Sequence, residues 1–118
     1  MSATANHRIY SMTVASVYPL YLAKVERKGR NRDELNAVIC WLSGYDESEL
    51  RRHLEAGTSF ADFFAGARLN PNAAHITGLT CGVRVETIED PLMQQIRYLD
   101  KLVDELAKGR ALEKVLRS

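Results

Sequence analysis

Residues 75–82, HITGLTCG, hold a histidine, two threonines, a cysteine and two glycines within eight positions. Glycines let a backbone approach an anion, and Cys81 becomes a nucleophile if a base draws off its proton. His75 and His53 are the available bases. A small enzyme or small-molecule site built here would gather Arg8, Tyr10, His75, Cys81 and Arg84. The spacing matches neither a phosphate-binding loop nor a dinucleotide fingerprint. Turn glycines beside a buried thiol are the simpler account, and the reading leans away from an enzyme.

The most polarised stretch is residues 24–32, where Lys24, Arg27, Lys28, Arg30 and Arg32 face a single acid, Glu26. Such a patch could take phosphates or an acidic protein face. It also sits where a helix end welcomes cations. Residues 86–105 carry six acids (Glu86, Glu89, Asp90, Asp100, Asp104, Glu105) against two bases, and could pair with the basic turn inside the molecule. A short Gly44-Tyr45 turn joins two helical stretches, as in a helix-turn-helix. The would-be recognition helix, 47–55, begins with Glu47 and Glu49, the wrong sign for phosphates, so nucleic acid is disfavoured. Asp100 and Asp104 lie one helical turn apart with no third ligand in view. His7, His53, His75, Cys40 and Cys81 lack the paired spacing of structural zinc, so no metal site and no cofactor is implied.

These residues need elements to position them. Val14, Val17, Tyr18, Tyr21, Leu22 and Val25 form one helical face over 14–25. Ser16 as N-cap would place Pro19 harmlessly in the first turn, whereas a start at Thr13 pushes the proline further in. Asn31 with Glu34, and Asp46 with Glu49, spell capping boxes for the next two helices, which end at Gly44 and Gly57. The first carries Leu35, Val38, Ile39 and Leu42; the second carries Leu50 and Leu54 and pairs Glu47 with Arg51. Ser59 caps a short helix with Phe60, Phe63 and Phe64. Residues 66–90 break the pattern, and either a short helix over 73–79 or a hairpin over 76–88 suits them. Asp90-Pro91 opens the longest helix. Its inner face runs through Leu92, Ile96, Leu99, Leu102, Val103 and Leu106, with Lys101–Glu105 and Asp104–Lys108 paired outside. A terminal helix over 110–117 turns Leu112, Val115 and Leu116 inward.

The composition suits one ordinary domain: 118 residues, 46% hydrophobic, formal net charge +1. No stretch approaches ~20 consecutive apolar residues, which excludes a simple membrane helix. Two cysteines are too few for a disulfide framework, and the N-terminal residues do not read as a secretory signal, so a reducing cytoplasm is the default.

Three blocks, HRIYSMTVASVYPLYLAKVERKGR from His7, WLSGYDESEL, and ITGLTCGVRVETIEDPLMQQIRYLDKLVDELAKGRALEKVL, resemble a bacterial family catalogued as domain of unknown function 2200. The resemblance spans residues 7–117. It brings no established activity and so no site residues. It implies likeness to small all-helical orthogonal bundles, which favours helix or irregular structure over a hairpin at 73–88.

The expected fold is mainly α: a small orthogonal bundle of five to six helices with a short irregular or β-like segment near residues 75–88. It should pack around Trp41, Phe60, Phe63, Phe64 and the apolar face of 92–106. Residues 1–8 should form a flexible N-terminus and 9–118 a single helical domain. The leading functional reading is a cytoplasmic binding or protein-interaction module with a protein partner or a homodimer. A small-molecule site around 75–84 comes second, and a nucleic-acid binder using the basic turn with Arg51 and Arg52 third. No membrane partner is expected.

Overall fold

The structure is a computed structural model that describes residues 9–80 and 82–117. The first full helix, α1 (Val14–Glu26), starts at Thr13, whose side chain accepts from the Ser16 amide. Pro19 therefore lies inside the helix and not in its first turn. The Ala15 carbonyl loses its usual helical donor as a result. The chain just before α1 explains the earlier start. The Val14 amide donates to Thr58 O at 2.9 Å and the Phe60 amide to Met12 O at 2.9 Å. Thr13 and Ser59 thus form an isolated antiparallel bridge that fixes the entry.

Helices α2 (Arg32–Ser43) and α3 (Glu47–Ala56) carry both expected capping boxes, Asn31/Glu34 and Asp46/Glu49. Leu35, Val38, Ile39 and Leu42 are buried on α2, and Leu50 on α3. Ser59 caps α4 (Phe60–Ala65), which buries all three phenylalanines. Phe60 stacks on Phe64, and Phe63 meets Phe64 edge-on with ring centroids 5.3 Å apart. Tyr45 and His53 extend this cluster at 4.9 and 5.2 Å from Phe63. Trp41, expected at the centre, is only half-buried and packs against the core from its rim.

Residues 71–87 combine both sequence readings. A 3₁₀ turn (Pro71–His75), opened by Asn70, buries Ala73. A minimal hairpin follows, with β1 (Leu79–Thr80) antiparallel to β2 (Val83–Arg84), so the tilt away from a hairpin is corrected. A second 3₁₀ turn (Val85–Thr87) buries Val85. Two residues per strand are too few to pack alone, which is why alternation in the sequence was weak.

Helix α5 (Pro91–Ala107), capped by Asp90, buries Met93, Ile96, Tyr98, Leu99, Leu102, Val103, Glu105, Leu106 and Ala107. It packs against α1, α2, α4, β1, the second 3₁₀ turn and α6 (Leu112–Val115), while α3 packs on α1 and α2. The Asp104–Lys108 pair forms at 3.0 Å. Lys101 does not pair with Glu105; it donates to Leu79 O at 3.2 Å and holds β1. Glu105 points inward and meets Arg117 at 2.7 Å, with Arg110 3.3 Å away and unaligned for a hydrogen bond. One hydrophobic cluster links these elements, and the Cα radius of gyration is 13.4 Å, as expected for a compact domain of this length.

Gly44 ends α2 at φ +78, and a Cβ there would lie 2.5 Å from Arg68 O. The chain after α4 runs back across this helix end, with the Arg68 amide donating to Ser43 O at 2.8 Å. Gly57 has a similar φ of +67 but open space around it. Gly57→Ala should therefore cost about 1–2 kcal/mol from backbone strain alone, and Gly44→Ala clearly more. Urea unfolding of the two variants checks this; equal losses would contradict the close approach.

Candidate functional site

Of the residues proposed for a site around 75–84, Tyr10 and Arg84 each bond a different carboxylate. Tyr10 donates from its hydroxyl to Asp90, the cap of α5. Burial, then the hydrogen bond and charge of Asp90, push the Tyr10 phenol up to about 12. Arg84 Nε donates to Glu86 at 2.8 Å. His75 is exposed at the end of the first 3₁₀ turn. Arg8 and Cys81 lie outside the described residues, as does the expected flexible N-terminus. His53, the other base considered, sits in the aromatic cluster with Nδ1 3.0 Å from Thr58 Oγ1. Cys40 is half-buried, and burial followed by the charges of Glu47, Asp46 and Glu49 pushes its thiol up, away from the reactive thiolate. Among the described residues no cluster of three or more metal-ligating side chains occurs.

The basic turn is divided in use. Lys24 Nζ reaches Asp104 at 3.3 Å, an ion pair between α1 and α5. Burial alone would raise the Asp104 carboxyl, but Lys108 and Lys24 outweigh it and hold it below its ordinary value. Arg30 forks onto Glu34, and its Nη1 donates to Arg110 O at 2.9 Å, tying the turn to the C-terminal segment. The Arg30 bond holds the Glu34 carboxyl low. Arg27, Lys28 and Arg32 are exposed and form no ion pair among the described residues. The internal pairing of the basic turn with the acid-rich stretch therefore rests on Lys24 and Asp104.

Two hollows carry the surface chemistry. One lies between α1, α2 and α3, with a volume of about 250 Å³, and is lined by Tyr18, Arg32, Asn36, Glu47, Leu50, Arg51 and Leu54. The expected Glu47–Arg51 pair does not form among the described residues; both side chains border this cleft instead. The other, about 280 Å³, lies between α1 and the hairpin and is lined by Val17, Leu20, Tyr21, Lys24, Thr80 and Asp100. Its floor is fixed by α5, because Asp100 accepts from both Tyr21 and Arg97.

The two elements that wall the second hollow, α1 and the hairpin, carry large exposed apolar side chains. Leu20 is 67% exposed, Leu79 58% and Val83 47%. The register pairs Thr80 with Val83 and Leu79 with Arg84, so Val83 shares the face of Thr80 and Leu79 lies on the opposite face. Sequence periodicity offered a signal for Leu20: it is a large apolar residue off the i, i+3, i+4 stripe of α1.

The hairpin is braced at its base by Glu86, which accepts from the Gly78 amide at 2.9 Å and from Arg84. Foremost the Gly78 amide, then its own amide and Arg84, hold the Glu86 carboxyl down near about 2, from an ordinary 4.5. A carboxyl depressed in the folded state contributes stability above its unfolded pKa and loses it as pH falls through the folded value. The brace should thus be complete above 4.5 and fail toward about 2. An NMR titration should show the Gly78 amide shift with a midpoint near about 2, and a midpoint near 4.5 would contradict the brace.

The comparisons agree with this architecture. Among curated proteins none matches the chain. A solved structure described as the crystal structure of uncharacterized protein SP1917 is 47% identical, covers 92% of this chain and 90% of its own, and superposes with a TM-score of 0.87. A family model described as "Uncharacterized protein conserved in bacteria (DUF2200)" matches residues 8–117. The expected mainly α fold is therefore shared with that solved structure, and the chain belongs to the bacterial family DUF2200.

Proposed function

We propose that this protein is a cytoplasmic binding module that works as a homodimer, joined through the hairpin and the outer face of α1. The observation that carries the reading is the exposure of Leu20 on the rim of the hollow and of Leu79 and Val83 on the hairpin whose Thr80 forms its other wall. Contiguous large apolar side chains at a surface mark an interaction site, whereas scattered single ones do not. Leu79 and Val83 lie on opposite faces of the hairpin, so a flat partner covers one and leaves the other wet. A partner that embraces the hairpin covers both.

A second copy supplies such a partner. The hollow beside Leu20 is open to an apolar side chain, and each copy can offer its hairpin to the hollow of the other, the reciprocal pattern of a two-fold interface. The lining carries both signs, Lys24 and Asp100, so it is self-complementary where a single-sign lining would repel. The net charge of +1 adds little repulsion between copies. A stable interface needs about 800 Å² per partner, about an eighth of the 6680 Å² this chain exposes. The outer face of α1 and both faces of the hairpin are the apolar surface suited to supply it. Among the described residues no helix is long and apolar enough to cross a membrane. Cys40 is a free thiol, which suits a reducing compartment.

Sedimentation equilibrium tests the dimer. The unaltered chain should be dimeric with a melting temperature that rises with concentration. Leu20→Glu and Leu79→Glu should each give a folded monomer, since both side chains are exposed in the single chain, with a melting temperature independent of concentration. A monomeric unaltered chain at the highest concentration that stays in solution would overturn the proposal, as would variants that remain dimeric.

A further inference from the structure

The cleft between α1, α2 and α3 shares no residue with the proposed dimer surface and has a different chemistry. Its floor is apolar, from Leu50 and Leu54, and its walls carry two guanidinium groups, Arg32 and Arg51, and one carboxylate, Glu47. None of these three charges forms an ion pair among the described residues, although Glu47 and Arg51 are spaced to meet across one helical turn. The Tyr18 hydroxyl donates to Asn36 Oδ1 at 2.6 Å, which fixes both side chains. The Asn36 NH₂ is left with no acceptor among the described residues, so two donors remain for a ligand. Burial raises the Tyr18 phenol, and it feels Arg32, Glu47 and Asp33 in opposite senses, which shows that charges of both signs lie around this hydroxyl.

We infer that this cleft binds a small amino dicarboxylate, a ligand of the class of aspartate and glutamate. The charge inventory selects that class. Two guanidinium groups against one carboxylate leave a lining of net +1, and the complementary ligand bears two carboxylates and one ammonium. Arginine holds carboxylates through paired N–H donors. Glu47 takes the ammonium, Asn36 donates to a carboxylate oxygen, and the ligand's methylene carbons lie on Leu50 and Leu54. At about 250 Å³ the cleft is below the usual range for drug-sized ligands, which suits a molecule of amino-acid size.

An NMR titration with L-glutamate as the probe, beside glutarate, which lacks the ammonium, and L-glutamine, which lacks one carboxylate, tests the assignment. L-Glutamate should bind tightest, with shifts confined to the neighbourhood of Arg32, Asn36, Glu47 and Arg51. Arg51→Gln should weaken it by about tenfold, the order of one charge-assisted contact. Glu47→Gln should erase the preference for L-glutamate over glutarate. All these side chains except Asn36 are exposed, so the variants should fold. The inference is overturned if L-glutamate gives no localised shifts, if glutarate or L-glutamine binds the unaltered chain as well, or if Glu47→Gln keeps the preference.

Discussion

The burial of one face of α5 is the constraint on which the rest of this structure depends. Ile96, Leu99, Leu102 and Leu106 are fully buried there, and each is worth about 1.5–3 kcal/mol against exposure. The polar side chains of the same helix act on a different scale. Exposed pairs such as Lys108–Asp104 contribute about 0–1 kcal/mol. Apolar burial therefore decides whether α5 is the central helix, and the polar contacts decide how its neighbours are set on it. Asp100 holds Tyr21 and Asp104 holds Lys24, both from α1. Lys101 and Gln94 hold the hairpin and the turn after it through Leu79 O and Val85 O. Glu105 holds the C-terminal segment through Arg117 and Arg110. The hollow between α1 and the hairpin exists because both of its walls are hung on one helix.

Local signals carried most of the fold. The capping boxes at Asn31/Glu34 and Asp46/Glu49, the Ser59 cap and the Asp90-Pro91 opening are satisfied within a few residues of themselves, so they can be read without tertiary knowledge. What was not legible depends on distant chain. Thr13, not Ser16, caps α1 because Thr58 and Phe60 bond to Val14 and Met12 on either side of it. Glu105 faces inward because Arg110 and Arg117 come back over it, which helical spacing to Lys101 could not reveal. Trp41 flanks the apolar stripe of α2, and only the packed neighbours show that it stays at the rim.

The surface sites were less legible, for a related reason. The composition of 24–32 drew attention to five cations, yet two of them, Lys24 and Arg30, serve the fold. Arg32 takes on a distinct role only when α3 brings Arg51 and Glu47 beside it. Likewise the apolar hollow assembles Leu20 from one end of the chain with Thr80 from far along it. Residue types were visible in the sequence, but the convergence that gives them chemistry is a product of the packing on α5.

The central claim is that the hairpin of one copy enters the hollow of another. An isotope-filtered NOE experiment on an equal mixture of labelled and unlabelled chains reads it directly, because only contacts between copies survive the filter. Cross-peaks between the Leu79 methyls of one copy and Val17, Leu20 or Tyr21 of the other are the predicted result. A spectrum of the mixed sample with no inter-copy cross-peak at these side chains would contradict it.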